Sequence, residues 1–323
     1  MEDLYCSVFD ESSLLFDCYP GGNDTFIFCN RSVPRTGYKQ VQTLIRGRYP
    51  HFEQGGFLER ARSHAAVARV QMVSGDFSPN TTRSAAALLA DLFCKDQSLV
   101  PFARWQRIGV DRECVSVPLE ASGSRDVLQA IVWPGASEWQ VELELMRASG
   151  VRIARQAPLI LDGQEYRCDV VMRAGIAQVL ICEDHTPVVE SRLAVFRHIV
   201  AVRKQLGLFS HPAVGVCWWK RSGEKLSIRP ALYLSGNDTC SKETASGSAA
   251  VALALALHDG HSRGAVCVTQ PSGEELRVRI QPGITGACPS RVFLLGPVKL
   301  RGELNSSYCE VPQQSYAGLR LVQ

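Results

Sequence analysis

No two cysteines in this sequence stand at Cys-x-x-Cys spacing, although its 323 residues include 12 of them. Disulfide frameworks belong to short secreted chains and Cys-x-x-Cys pairs to zinc or redox sites, so these scattered cysteines read as reduced, mostly buried thiols. Long hydrophobic runs are missing too: the apolar stretch VALALALH falls well short of the ~18 residues that cross a membrane, and reads as a buried helix. Charge of one sign is also lacking. The net charge of +3 comes from 35 basic and 32 acidic side chains without a sizeable block of either, which leaves no electrostatic footprint for nucleic acid. The 7 histidines lack ligand spacing, since His258 and His261 stand three apart with no acidic or cysteine companions, and no metal is expected. The first residues, MEDLYCSVFDESSLLF, are acidic and without a long apolar core, unlike a secretory or mitochondrial leader, so a cytoplasmic location is expected. Five Asn-x-Ser/Thr triplets, at Asn23, Asn30, Asn80, Asn237 and Asn305, then read as turn chemistry rather than glycosylation sites. What remains is a small-molecule partner, with no nucleic acid and no membrane; a homodimer stays open.

With 46% hydrophobic and 21% charged residues the chain is long enough for two domains of about 150 residues. Short β-branched and aromatic runs bounded by Gly, Pro and Asn dominate, among them TFIFCN, SVPLEA, VLQAIVWPG, QVELELM, RCDVVMR, VGVCWW and LRVRIQ. In the last of these Leu276, Val278 and Ile280 share one face. Helices are expected at Lys39 to Arg46, Ser84 to Phe93, Glu190 to Leu206 and Ser248 to Leu257. Many strands with few helices, and no regular alternation, indicate an α+β architecture.

Two helix openings resemble each other: VSGDFSPNTTRSAAALLADLF (Val73 to Phe93) and LSGNDTCSKETASGSAAVALALAL (Leu234 to Leu257). In each, a strand end runs into Ser-Gly, a polar turn follows, and a serine, Ser78 or Ser246, precedes small aliphatic residues. A helix start offers unpaired backbone N–H groups and the positive end of its dipole, so two converging starts would hold a carboxylate. Each serine is equally an ordinary N-cap, the first with Pro79 at the first helical position. The pattern divides the chain into an N-terminal half, 1–148, to which a C-terminal strand near 311–323 returns, and a C-terminal half, 149–310, with the joint at Ala148 to Ala157.

With PGGNDTFIF, FEQGGFLE, SGDFSPNTTRSAA, KETASGSAA, QPSGEELRVRI and FLLGPVKLRGE in this order, the chain resembles the diaminopimelate epimerase fold superfamily, and most closely its histidine racemase-like branch. The resemblance implies two pseudo-symmetric halves, each a curved, mostly antiparallel sheet or barrel around a central helix, with the active site between them. It implies a racemase or epimerase of a free amino acid or derivative, working without a cofactor by two-base proton transfer. It further implies that Asn23, Asn80 and Glu243 contact the substrate's amino and carboxylate groups, and that backbone amides after Ser78 and Ser246, those of Gly247 and Ser248 among them, hold the carboxylate.

Ser78 and Ser246 stand where the family carries its cysteine acid/base pair. A thiol titrates near 8.5, whereas an unassisted hydroxyl is a far weaker acid, so the pair cannot run the two-base cycle at ordinary rates. Natural divergence, for which Pro79 speaks, and an inactivated form, for which the retained Asn80, Glu243 and Gly247 speak, both stay open. Glu53 lies near where the related phenazine-biosynthesis isomerase-like proteins carry a catalytic glutamate, which makes an isomerase or cyclase using Glu53 the alternative; its bland reading is a surface charge. Asp76 is a candidate from the turn before Ser78, or a plain turn former. Glu243 could itself act as acid or base, or serve only as a helix-dipole partner. A third alternative is an inactive protein that binds an amino acid. The five tryptophans are candidates to line the side-chain pocket.

Overall fold

The computed structural model describes residues 13–29, 33–108, 112–147, 151–173, 175–183, 192–236, 238–258, 264–282 and 289–306. The strand expected near 311–323, Asn30, Asn237 and the first two residues of the helix expected from Glu190 lie outside them.

Strand β1 (Leu14–Tyr19) pairs antiparallel with β2 (Thr25–Cys29), which runs parallel to β3 (Gln54–Glu59). From β3 the sheet passes antiparallel to β4 (Ala68–Gln71), parallel to β6 (Arg112–Ala121), and antiparallel through β7 (Leu128–Pro134) to β8 (Trp139–Arg147). The long strand β17 (Pro289–Leu304) pairs with both β8 and β1 and closes a barrel of eight strands. β5 (Arg104–Ile108) is added outside it, against β6.

The second half repeats the same sequence of steps. β10 (Gln164–Arg173) pairs antiparallel with β11 (Ile176–Cys182), β11 parallel with β12 (Ala213–Ser222), and β12 antiparallel with β13 (Lys225–Leu234). β13 then pairs parallel with β15 (Ala265–Thr269), which leads antiparallel through β16 (Glu275–Pro282) to β17. β9 (Arg152–Leu161) pairs with β10, and β14 (Thr239–Lys242) with β13. Part of the stretch expected as a joint is therefore strand β9, whose residues Arg152 to Ala157 are largely exposed and show no regular alternation of apolar and polar side chains.

Each half wraps a helix. α2 (Pro79–Lys95) buries Ala85 through Ala90 in the first, and α4 (Gly247–Leu257) is apolar on every side and buries Ala249 through Ala256 in the second. A helix without a polar face is stable only when enclosed, and small side chains let the surrounding strands approach closely. α1 (Tyr38–Arg48) and α3 (Arg192–Gln205) pack outside, each burying a stripe that includes Val41 and Ile45, or Val195, Ile199 and Val202. Most cysteines of the described residues are buried.

Candidate active site

The two helix openings meet. Ser78 has extended backbone (φ −111°, ψ 111°) and its Oγ accepts from the Thr81 N–H at 3.2 Å; Ser246 has φ −137°, ψ 104°, and its Oγ accepts from the Ala249 N–H at 3.4 Å. Both are N-caps, so both hydroxyls stand at the positive end of a helix. Gly247 allows the contact between the helix starts: a Cβ there would lie 2.8 Å from Leu294 Cδ2, 3.0 Å from Pro79 Cβ and 3.3 Å from Asn80 Oδ1. Asn80 reaches across and donates from Nδ2 to the Ala245 carbonyl at 3.2 Å.

Between them lies a cleft of about 370 Å³. Ser78, Ser246, Glu243, Asn23, Asn80, Gly247, Ser248 and Asp76 all line it. Glu53 does not. Its carboxylate receives the Thr244 N–H at 3.2 Å and the Thr244 hydroxyl, tying the start of β3 to the segment before α4. None of the five tryptophans reaches the cleft either, and the aromatic side chain there is Phe77. A larger open hollow of about 1280 Å³, near Trp133, Glu274 and Pro297, contains none of the candidate residues.

The turn before β2 aims Asn23. Gly21 (φ 83°), Gly22 (φ 106°) and Asn23 (φ 61°) are successively left-handed, which glycine and asparagine adopt most easily. A Cβ on Gly22 would lie 2.8 Å from Ala245 Cβ and from Ser272 Oγ, so this turn is also pressed against the second half. Asn23 donates its N–H to Thr244 Oγ1 at 2.5 Å and its Nδ2 to Glu243 Oε1 at 3.4 Å. Ser272, in the turn between β15 and β16, donates its hydroxyl to the Gly21 carbonyl at 2.8 Å and completes the clasp.

The surroundings of the two serines differ. Besides capping α2, Ser78 Oγ accepts from the Thr81 hydroxyl at 3.0 Å and donates to Gln54 Oε1 at 2.9 Å. Ser246 Oγ shares a hydrogen bond with Ser248 Oγ at 3.2 Å and lines the cleft together with Glu243. The Ser246 N–H is taken by Gln270 Oε1 at 2.8 Å. Burial pushes the Glu243 carboxyl up to about 7; the negative charges of Glu53 and Asp76 add to this, while hydrogen bonds from Ser246 and Asn23 oppose it. What surface Glu243 keeps opens into the cleft. One serine thus stands beside a carboxyl that titrates near neutrality, the other beside an amide that cannot take a proton.

Gln54, Gln178 and Gln270 were not singled out by the sequence, although Gln54 adjoins Glu53 and Gln270 opens the QPSGEELRVRI motif. Gln178 donates to Ser248 Oγ at 2.9 Å, and a Cβ on Gly215 would lie 2.0 Å from its Oε1. Among the described residues no group of three or more His, Cys, Asp and Glu could hold a metal ion, and no helix is long and apolar enough to cross a membrane.

The family described as the histidine racemase CntK N-terminal domain matches residues 15–287. No curated protein sequence gives a significant match. Among solved structures, a hydroxyproline epimerase from Agrobacterium vitis with bound trans-4-hydroxy-L-proline superposes with a TM-score of 0.63 at 13% identity, covering 90% of this chain and 91% of that one. A probable proline racemase from Agrobacterium radiobacter with bound carbonate gives 0.64 at 12% identity, with 91% and 92% covered. A phenazine biosynthesis protein of the PhzF family from Bacillus anthracis gives 0.55 at 11% identity, with 90% and 97% covered. These neighbours share the fold of two similar halves.

Proposed function

The chain belongs to the family of the histidine racemase CntK N-terminal domain, a racemase- and epimerase-like isomerase family, and we propose that it moves the proton on the carbon beside the carboxylate of a free amino acid or close derivative. In this reading the substrate lies between Ser78 and Ser246, with its carboxylate on the backbone amides at the start of α4 and its ammonium toward Asn23. Glu243, with Ser246 beside it, takes and returns the proton.

One arrangement carries this: Glu243, whose carboxyl burial pushes up to about 7, lines the cleft with Ser246, whereas the Ser78 hydroxyl donates to the Gln54 amide. A general base works best when its pKa lies near the ambient pH. As the C–H bond breaks, its electron pair delocalises into the substrate carboxylate and the proton passes to Glu243. Preorganised N–H groups at the α4 start favour the charge that develops on the carboxylate. Pro79 lacks an N–H, so the α2 start contributes one donor fewer. With a base on one side only, the proton returns to the face it left. The expected chemistry is exchange with retention or transfer to a neighbouring position, with inversion slow.

The test is to follow candidate amino acids in heavy water, histidine and hydroxyproline first, by α-deuteration and by chiral chromatography. Exchange that depends on Glu243 and outruns inversion supports the reading. A second reading, binding without turnover, draws on the Ser78 hydroxyl, whose three hydrogen bonds leave it committed to the cap. Tight binding with no exchange in any variant would favour it.

A further inference from the structure

The cleft holds a cation that the chemistry above leaves unused. Arg173, the last residue of β10, lines it, and among the described residues no carboxylate, carbonyl or hydroxyl accepts a hydrogen bond from its guanidinium. Other arginines of the fold have partners: Arg229 pairs with Glu183 at 2.8 Å and Arg279 with Glu142 at 2.9 Å. Arg83, a fully buried guanidinium, is sealed, and its two terminal nitrogens are taken by carbonyl and amide oxygens, out of a ligand's reach. Burial lowers the pKa of Arg173 to about 10, which leaves it charged at neutral pH. A desolvated and unpaired guanidinium is unfavourable until an anion completes it, and its planar fork suits a carboxylate.

Beside Arg173 the second half lines the cleft with Ile176, Pro212, Ala213, Leu232 and Leu234, together with Ser235, whose hydroxyl donates to the Pro212 carbonyl at 2.8 Å. The acidic groups of the cleft, Glu243 and Asp76, do not pair with Arg173. In the arrangement proposed above, the substrate's ammonium and α-carboxylate already have partners in Asn23 and the α4 amides, and Glu243 faces the α-hydrogen. We infer that Arg173 receives a second anionic group of the substrate, so that the cleft takes an amino acid whose apolar stem ends in a carboxylate. This inference rests on the amino-acid reading of the cleft.

The test is calorimetric titration of the full chain with both enantiomers of aspartate, glutamate and 2-aminoadipate, each against an uncharged counterpart: asparagine, glutamine and norleucine. At least one acid should bind ~10-fold or more tightly than its uncharged counterpart. Arg173→Gln should erase that preference while leaving the uncharged ligand's affinity within about twofold, and Arg173→Lys should restore part of it as a point charge. Equal binding of acid and counterpart, a preference that survives Arg173→Gln, or failure of every acid to bind would overturn the inference. So would an equal loss of charged and uncharged ligands in Arg173→Gln, which would place Arg173 on the α-carboxylate instead. Failure of the isomerase reading looks different: the Arg173-dependent preference stands, but no bound amino acid exchanges its α-hydrogen.

Discussion

Ser78 donates its hydroxyl hydrogen to Gln54 Oε1 at 2.9 Å, and that amide oxygen cannot take the proton away. The Gln54 amide is itself fixed, since its Nε2 donates to Thr25 Oγ1 at 2.9 Å. On this side of the cleft the missing element is a base, not a place for one.

Gln54→Glu supplies that base at almost unchanged volume. A positioned general base contributes roughly 10²–10⁴ in rate, so the variant should gain inversion relative to exchange by at least about tenfold. Chiral chromatography beside deuterium incorporation measures the ratio, and an unchanged ratio would remove the Ser78 side from the chemistry. Ser78→Cys combined with Ser246→Cys should awaken racemisation by the other route, through thiols that ionise closer to neutral pH.

Glu243 ties rate and stability to pH in opposite senses. Its carboxyl is held at about 7 against an ordinary 4.5, so the folded chain binds this proton more tightly than the unfolded chain does. The group's contribution to stability is fully present below pH 4.5 and is lost as pH rises to about 7. At about 1.4 kcal/mol per pKa unit the loss is at most about 3 kcal/mol, less for the surface it keeps in the cleft. Glu243→Gln should therefore unfold at higher urea than the parent at pH 8, and the two should converge toward pH 5. Exchange should run the other way, rising through about pH 7 as the carboxylate forms and falling by roughly 10² or more in Glu243→Gln. Equal urea midpoints at both pH values would contradict the burial argument.

Arg83 is fully buried and bonds the carbonyls of Pro20 at 2.7 Å and Pro297 at 3.3 Å, and Asn80 Oδ1 at 3.1 Å. It joins the turn that carries Asn23, strand β17 and the start of α2. Arg83→Met leaves three buried acceptors without a donor, at about 1–3 kcal/mol each, and should lower the urea midpoint sharply. Arg83→Lys should recover little, because one ammonium cannot reproduce the planar fork. Full recovery by lysine would show that charge, not geometry, matters there.

Gly247→Ala tests how closely the helix starts must approach. The added methyl would meet Leu294 Cδ2 at 2.8 Å and Pro79 Cβ at 3.0 Å. Overpacking of this kind costs about 1–3 kcal/mol, and parting the two starts should weaken amino-acid binding as well. Calorimetry and urea unfolding on the same variant separate the two effects. Normal binding in a destabilised protein would mean that the contact serves the fold alone.

The strands with alternating apolar residues and the apolar helix α4 were legible because their burial follows their pattern. α2 was expected over Ser84 to Phe93, with Ser78 and Pro79 as a candidate cap; the helix runs from Pro79, and Asn80, Thr81, Thr82 and Arg83 are buried in it because they form the seam between the halves. β3 was hidden by Gly55 and Gly56, whose missing side chains make room for the Phe26 ring and the Thr81 methyl. β5 is exposed along its length and shows no alternation. In the cleft, the serines, Asn23, Asn80 and Glu243 could be named from the helix openings and the motif resemblance. Glu53 and Gln54 differ by one position, and only the backbone of β3 decides that the amide meets Ser78 while the carboxylate turns to Thr244. Arg173 has no motif at all; its meaning comes from neighbours that lie far away in sequence.

The most direct measurement compares α-deuteration with loss of optical activity for the same bound amino acid in heavy water, in the parent chain and in Glu243→Gln. The parent should incorporate deuterium faster than it inverts, and Glu243→Gln should lose the incorporation. Inversion keeping pace with incorporation in the parent, or incorporation untouched by Glu243→Gln, would contradict a one-sided base at Glu243.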